Sequence, residues 1–188
     1  NASHNKVKWH KDTINKIKKI ENDVDILLDI PGIKPRTNNE KKIFVKKNQI
    51  IKFIYKKTRN SDDILTTKAL PKSNKKNKYF SVDDGKLIFK IIKSSKDSLI
   101  GKALDNYKIH PKKGINIPLS VYDNQEQRKN YLKYLNYFKK CNFNLVGLSF
   151  VQNHKLIIFL KKKYPHLLFV SKIENSEGLK NAENICKY

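Results

Sequence analysis

Apolar positions along this chain fall into runs of two periods, with a contrasting interval between them. Residues 24–29, 144–151 and 167–171 are short, nearly continuous apolar stretches. They are too short for helices and predict buried parallel strands. Helical spacing separates them. Ile14, Ile17 and Ile20 recur every third residue within 11–21, and Leu132, Leu135 and Phe138 do so within 124–140, where Asp123 is positioned as an N-cap. A third helix is expected over 154–163. From residue 38 to 112 the pattern changes to short runs rich in Ile, Phe and Tyr, at 42–46, 50–55, 87–93, 98–104 and 106–110. Turn residues divide these runs, Val82-Asp83-Asp84-Gly85 most clearly, which predicts a small all-β domain. The order of elements is that of a parallel α/β body with an inserted β domain. Residues 71–78 have almost no apolar content and are expected to form a mobile loop without assigned function.

The third apolar run carries candidate chemistry. It passes through Ser171 directly into Lys172-Ile173-Glu174, followed by the turn Asn175-Ser176-Glu177-Gly178. Side chains two apart on a strand share a face, so Lys172 and Glu174 are expected to project together from its C-terminal end. Active sites of barrels and open parallel sheets lie at such ends. Charged residues make up 31% of the chain, however, so a Lys-x-Glu pair alone carries little weight.

Composition narrows the alternatives. The 188 residues suffice for one ordinary domain or two small ones. No apolar run approaches a membrane span, and no signal peptide is visible. Cys141 and Cys186 have no metal-binding spacing and give no disulfide framework. The sequence contains no methionine and begins at Asn1, as expected for a piece of a longer protein or a processed one. The net charge of +24 invites a nucleic-acid reading, but only Arg36, Arg59 and Arg128 are arginines among 41 basic residues. Base and phosphate readers rely more on arginine forks, so nonspecific polyanion attraction at low salt is expected rather than a specific nucleic-acid partner.

Ser171-Lys172-Ile173-Glu174-Asn175 with Glu177-Gly178 resembles the catalytic segment of the pyruvate kinase family. Other motifs resemble that family in its own order. Asn1-Ala2-Ser3-His4-Asn5 resembles the family's Asn-Phe-Ser-His-Gly loop, and Asp29-Ile30-Pro31-Gly32-Ile33-Lys34-Pro35-Arg36-Thr37 its Asp-Leu-Pro-Gly-Pro-Lys-Ile-Arg-Thr variant. Asp83-Asp84-Gly85 resembles a lid-domain turn, Lys113-Gly114-Ile115-Asn116-Ile117-Pro118 the return from lid to barrel, and Ser149-Phe150-Val151 the family's Ser-Phe-Val-Arg, with Gln152 in place of arginine.

The resemblance implies a partial TIM-type (β/α) barrel in residues 1–35 and 113–188, with a small all-β lid domain in 36–112. It implies phosphoryl transfer from phosphoenolpyruvate to ADP, giving pyruvate and ATP in glycolysis. Lys172 is then catalytic, Glu174 a ligand of Mg2+ or Mn2+, and Ser149 lies on the substrate side. Asn1, Arg36 and Lys113 are implied for the nucleotide. Asn1, Ser3, Asp29 and Ile30 correspond to a potassium site, and lysine at position 34 marks the potassium-independent kind, its ammonium standing in for K+. The resemblance further implies a homo-oligomer, with a cytoplasmic location or a plastid-type organelle after loss of a transit peptide. The family's Gly-Asp-Leu-Gly segment does not occur after Glu174, so these residues alone are not expected to close the site. The chief rival is a noncatalytic pyruvate kinase-like module that binds nucleotide or a partner.

Overall fold

A computed structural model describes residues 1–55, 62–71, 76–95 and 97–188. Residues 72–75, within the lysine-rich stretch expected to be mobile, lie outside these. The chain divides into two compact units, Asn1–Ile33 with Asp123–Tyr188, and Lys34–Tyr122. The sequence division lay at 35/36 and 112/113. The return segment stays with the β unit because Val82 pairs with Ile115 in a strand ladder. Among the described residues, no helix is long and apolar enough to cross a membrane.

The first unit contains α1 (Val7–Ile20), β1 (Leu27–Ile30), α2 (Asn124–Phe138), β10 (Leu145–Leu148), α3 (His154–Lys163), β11 (Leu168–Ser171), α4 (Ser176–Lys180) and α5 (Ala182–Cys186). Its three strands form a parallel sheet in the order β1-β10-β11. Leu27, Leu145 and Leu168 stand in register at one end, and Ile30, Leu148 and Ser171 at the other. The first strand begins three residues later than the apolar run, since its ladder to β10 starts at Leu27. Leu28, Ile30, Val146 and Leu148 cluster with Tyr131, Leu135 and Phe138 of α2 and with Leu156, Ile157 and Leu160 of α3. The opposite sheet face is apolar yet open, with Leu27, Leu168 and Val170 49%, 63% and 46% exposed. Parallel sheets are ordinarily covered on both faces.

Two helices differ from the expected frames. The first starts at Val7 and buries His10 and Ile14, while Ile20 is exposed. Four residues separate the buried pair, which follows the helical pitch better than a strict spacing of three. His10 is held at this face by a 2.5 Å contact from Nε2 to the His4 carbonyl. On α2 the buried residues are Gln127, Tyr131, Leu135 and Phe138. Asp123 caps α2 as expected, accepting from the Glu126 N–H at 2.8 Å.

The second unit contains β2 (Ile43–Val45), β3 (Ile50–Ile54), β4 (Ile64–Leu65), β5 (Tyr79–Val82), β6 (Leu87–Ser94), β7 (Ser98–Ala103), β8 (Tyr107–Ile109) and β9 (Ile115–Asn116). A six-stranded sheet runs β4-β3-β7-β6-β5-β9, and β2 pairs separately with β8. Its core centres on Phe53, Phe80 and Phe89, all at most 1% exposed. Phe80 and Phe89 stack at 4.8 Å between centroids, and Phe53 meets each edge-on at 5.3 Å. Gly101 of β7 makes this possible: a Cβ there would stand 2.5 Å from Phe80 Cε1 and 2.9 Å from Phe89 Cβ. Close packing around aromatic rings leaves no space for a methyl group.

Candidate functional site

The C-terminal ends of β1, β10 and β11 gather most of the sequence candidates in the first unit. Asp29 is the penultimate residue of β1, Ser149 follows β10, and Lys172 and Glu174 follow β11. The sequence placed the last two on a strand face; the strand instead ends at Ser171, because its partner β10 ends at Leu148. Lys172 Nζ lies 2.8 Å from Asp29 Oδ1, in a partly buried ion pair. That oxygen is itself buried and receives no well-directed hydrogen bond. Its charge is therefore compensated by the ammonium, while an acceptor direction remains open. Asn1 Nδ2 donates to Asp29 Oδ2 at 2.9 Å, and Ala2 N–H donates to the Asp29 carbonyl at 2.9 Å. Asn1 Oδ1 accepts from both the N–H and the hydroxyl of Ser3, at 2.9 and 2.5 Å. The Ile30 carbonyl takes the Ser149 N–H at 3.1 Å. Asn1, Ser3, Asp29 and Lys172 thus form one connected polar group at the strand ends, beside the Ile30–Ser149 backbone bond.

Glu174 is exposed, but its Oε2 accepts the Phe150 N–H at 2.8 Å. Phe150 has φ 62°, in the left-handed region. A bulky residue there costs about 1–2 kcal/mol. The turn is tied to the segment after β11 a second time, since Val151 N–H donates to the Lys172 carbonyl at 3.1 Å. Gln152, which replaces the family's arginine, is buried. It donates to Asn124 Oδ1 at 3.1 Å and accepts from Asn175 Nδ2 at 2.9 Å. Asn175 in turn caps α4 by accepting the Gly178 N–H at 2.8 Å. Sequence reasoning missed the buried Gln127 and Tyr131, the burial of Gln152 and the strain at Phe150.

The remaining candidates belong to the β unit. Arg36 Nη1 donates to the Lys112 carbonyl at 3.1 Å, and Lys34 Nζ lies 3.3 Å from Asp84 Oδ1. Lys113 Nζ lies 3.0 Å from Asp83 Oδ1, while Asp83 Oδ2 accepts the Tyr107 hydroxyl at 2.6 Å. Burial pushes the Asp83 carboxyl up, but the Tyr107 hydrogen bond and the charges of Lys113 and Lys86 outweigh it, leaving the pKa below the usual value. The Asp83 hydrogen bond and burial raise the Tyr107 phenol.

A depressed acid stabilises the fold above its ordinary titration range and loses that contribution as pH falls through the lowered value. The raised phenol acts in the opposite sense: its contribution is complete below its ordinary pKa and lost as pH rises through the raised one. Tyr107→Phe is therefore expected to cost the β unit about 1.5–3 kcal/mol at neutral pH, as for a hydrogen bond to a charged group. Thermal melts of wild type and variant should draw together as pH falls through the lowered Asp83 value, where the carboxylate that the phenol serves becomes protonated.

The family described as "Pyruvate kinase, barrel domain" matches the chain over residues 1–188. The chain is similar to the pyruvate kinase of Borreliella burgdorferi, 28% identical across 95% of this chain and 39% of the relative. It is also similar to that of Thermococcus litoralis, 26% identical across 98% of this chain and 42% of the relative. The chain thus spans about two fifths of the length of these relatives.

Proposed function

The chain belongs to the pyruvate kinase family, and from that premise we propose that it contributes part of a site transferring a phosphoryl group from phosphoenolpyruvate to ADP. The observation that carries this reading is the Lys172–Asp29 ion pair at 2.8 Å at the C-terminal end of a parallel sheet. A cation fixed there neutralises charge on a transferring phosphoryl group and on the enolate oxygen left behind. Asp29 orients that ammonium, Glu174 offers a carboxylate beside it in sequence, and Ser149 lies on the substrate side. Arg36 and Lys113 are the proposed nucleotide-phosphate residues of the β unit.

The sheet supports membership of a TIM-type barrel, with 36–112 as its inserted lid domain. In such a barrel, helices cover the outer face and layers of apolar side chains fill the interior. Helices cover the face of Leu28 and Val146, while the face carrying Leu27, Leu168 and Val170 is open. Further strands of the barrel would bury that face.

Magnesium fits the donor chemistry of Glu174, a hard carboxylate oxygen. Among the described residues no group of three or more His, Cys, Asp or Glu could hold a metal. Magnesium bound by one or two carboxylates, substrate oxygens and water does not require such a group. When bound, it would supply charge neutralisation on the phosphoryl oxygens.

The test is pyruvate formation from phosphoenolpyruvate and ADP by the full-length protein. Turnover dependent on Mg2+ or Mn2+ is expected, and none from residues 1–188 alone. Tight ADP binding by folded full-length protein without pyruvate formation would replace this reading with a noncatalytic module.

A further inference from the structure

The side chains that fix the Ser149–Phe150 turn come from α2, an element that carries none of the residues proposed above for the reaction. Gln127 and Tyr131 are one helical turn apart on its buried face, 1% and 0% exposed. Tyr131 donates its hydroxyl to the Ser149 carbonyl at 2.5 Å. Gln127 Nε2 donates to the same carbonyl at 2.8 Å and to the Phe150 carbonyl at 3.2 Å, and also contacts the Tyr131 hydroxyl. Gln127 Oε1 accepts the Ile33 N–H at 3.2 Å, tying the end of the first chain segment to the same point. Gly32 closes the other side: a Cβ there would meet Phe150 Cδ2 at 2.8 Å and the Ser149 carbonyl at 2.9 Å. Both carbonyls of the strained turn are thus anchored from inside the unit, and its Phe150 N–H is directed outward to Glu174 Oε2.

We propose that Gln127 and Tyr131 are positioning residues that hold Phe150 in its left-handed conformation, so that the Phe150 N–H fixes the Glu174 carboxylate for a divalent metal. The inference rests on the metal role given to Glu174 above. The observations favour it over simple core filling. A buried amide and phenol must find partners, and an apolar pair would fill the same volume without that demand. These two spend their donors on carbonyls whose direction sets φ at Phe150. A residue without this support relaxes out of the left-handed region, turning the N–H away from Glu174. The Val151–Lys172 backbone bond would loosen with it.

The test uses full-length protein carrying Tyr131→Phe, which keeps the ring and removes one donor, and Gln127→Leu, which removes both amide functions. Two quantities are read. Amide hydrogen exchange at Phe150, measured without metal, reports the turn; Mn2+ affinity, measured by paramagnetic resonance without substrates, reports the carboxylate. Tyr131→Phe is expected to speed exchange at Phe150 and to weaken Mn2+ binding by roughly 10-fold, in the range for loss of an outer partner of a metal ligand. The apparent KM for metal should rise more than kcat falls. If Gln127→Leu fails to fold, Tyr131→Phe carries the test alone. Unchanged exchange at Phe150 overturns the proposal, and so does faster exchange with unchanged Mn2+ affinity. Glu174→Gln measured alongside distinguishes the two failures. If it leaves Mn2+ affinity unchanged, the metal reading of Glu174 fails; if it lowers affinity, only the positioning role fails.

Discussion

On the proposed function, Lys172→Met in the full-length protein is expected to lower kcat by about 10²–10³-fold, the range seen when one preorganised group facing developing charge is removed. Methionine retains an unbranched stem and removes only the ammonium that Asp29 holds at 2.8 Å. The interaction lost belongs to the transition state, so kcat and kcat/KM should fall together with little change in KM for phosphoenolpyruvate. Asp29 loses its charge partner, but its side chain is 22% exposed and keeps the Asn1 amide on Oδ2. Its buried Oδ1 is left without a partner, so thermal melts should show a stability loss of about 1–3 kcal/mol beside the kinetic effect. Lys172→Arg should recover only part of the rate, because a planar fork cannot occupy the place of a point charge. A kcat within threefold of wild type for Lys172→Met would remove Lys172 from the chemistry.

The strand ends were legible because parallel strands buried by flanking helices read as continuous apolar runs. The runs that end near Asp29, Ser149 and Lys172 became β1, β10 and β11. The longer strands of the β unit were legible for a related reason: β3, β6 and β7 are each rich in Ile, Phe or Leu over several residues. Strands of two residues, β4 and β9, were not. Two residues carry no period, and these exist only through their ladders to Phe53–Ile54 and Ser81–Val82.

The interior of the site was hidden for a different reason. A hydrophobic reading of α2 ranks Gln127 with the solvent-facing residues and selects Leu132, which is only partly buried. What buries Gln127 is the pair of carbonyls at Ser149 and Phe150, 22 and 23 residues away. Nothing local encodes that partnership. Phenylalanine is likewise an unexpected occupant of a left-handed position, where Gly or Asn would have announced the turn. The Asp83–Gly85 turn was announced in this way. The burial of Asp83 was not, because its Tyr107 partner lies 24 residues downstream.

Glu174→Gln separates the two tasks assigned to that side chain. Glutamine has nearly the same size, and its amide oxygen can still accept the Phe150 N–H that Glu174 Oε2 accepts at 2.8 Å. A neutral acceptor is weaker than a carboxylate, so metal-free protein should lose only about 1 kcal/mol of stability. What disappears is the anionic oxygen that a hard divalent cation requires. The Mn2+ concentration giving half-maximal pyruvate formation should therefore rise by at least the roughly 10–100-fold that accompanies loss of an outer partner. Direct Mn2+ binding should weaken in parallel. Glu174→Ala should weaken metal binding similarly and also speed amide exchange at Phe150, because it removes the acceptor as well as the charge. Unchanged Mn2+ affinity in Glu174→Gln would take this carboxylate out of the metal site and leave it the single role of anchoring the Phe150 amide.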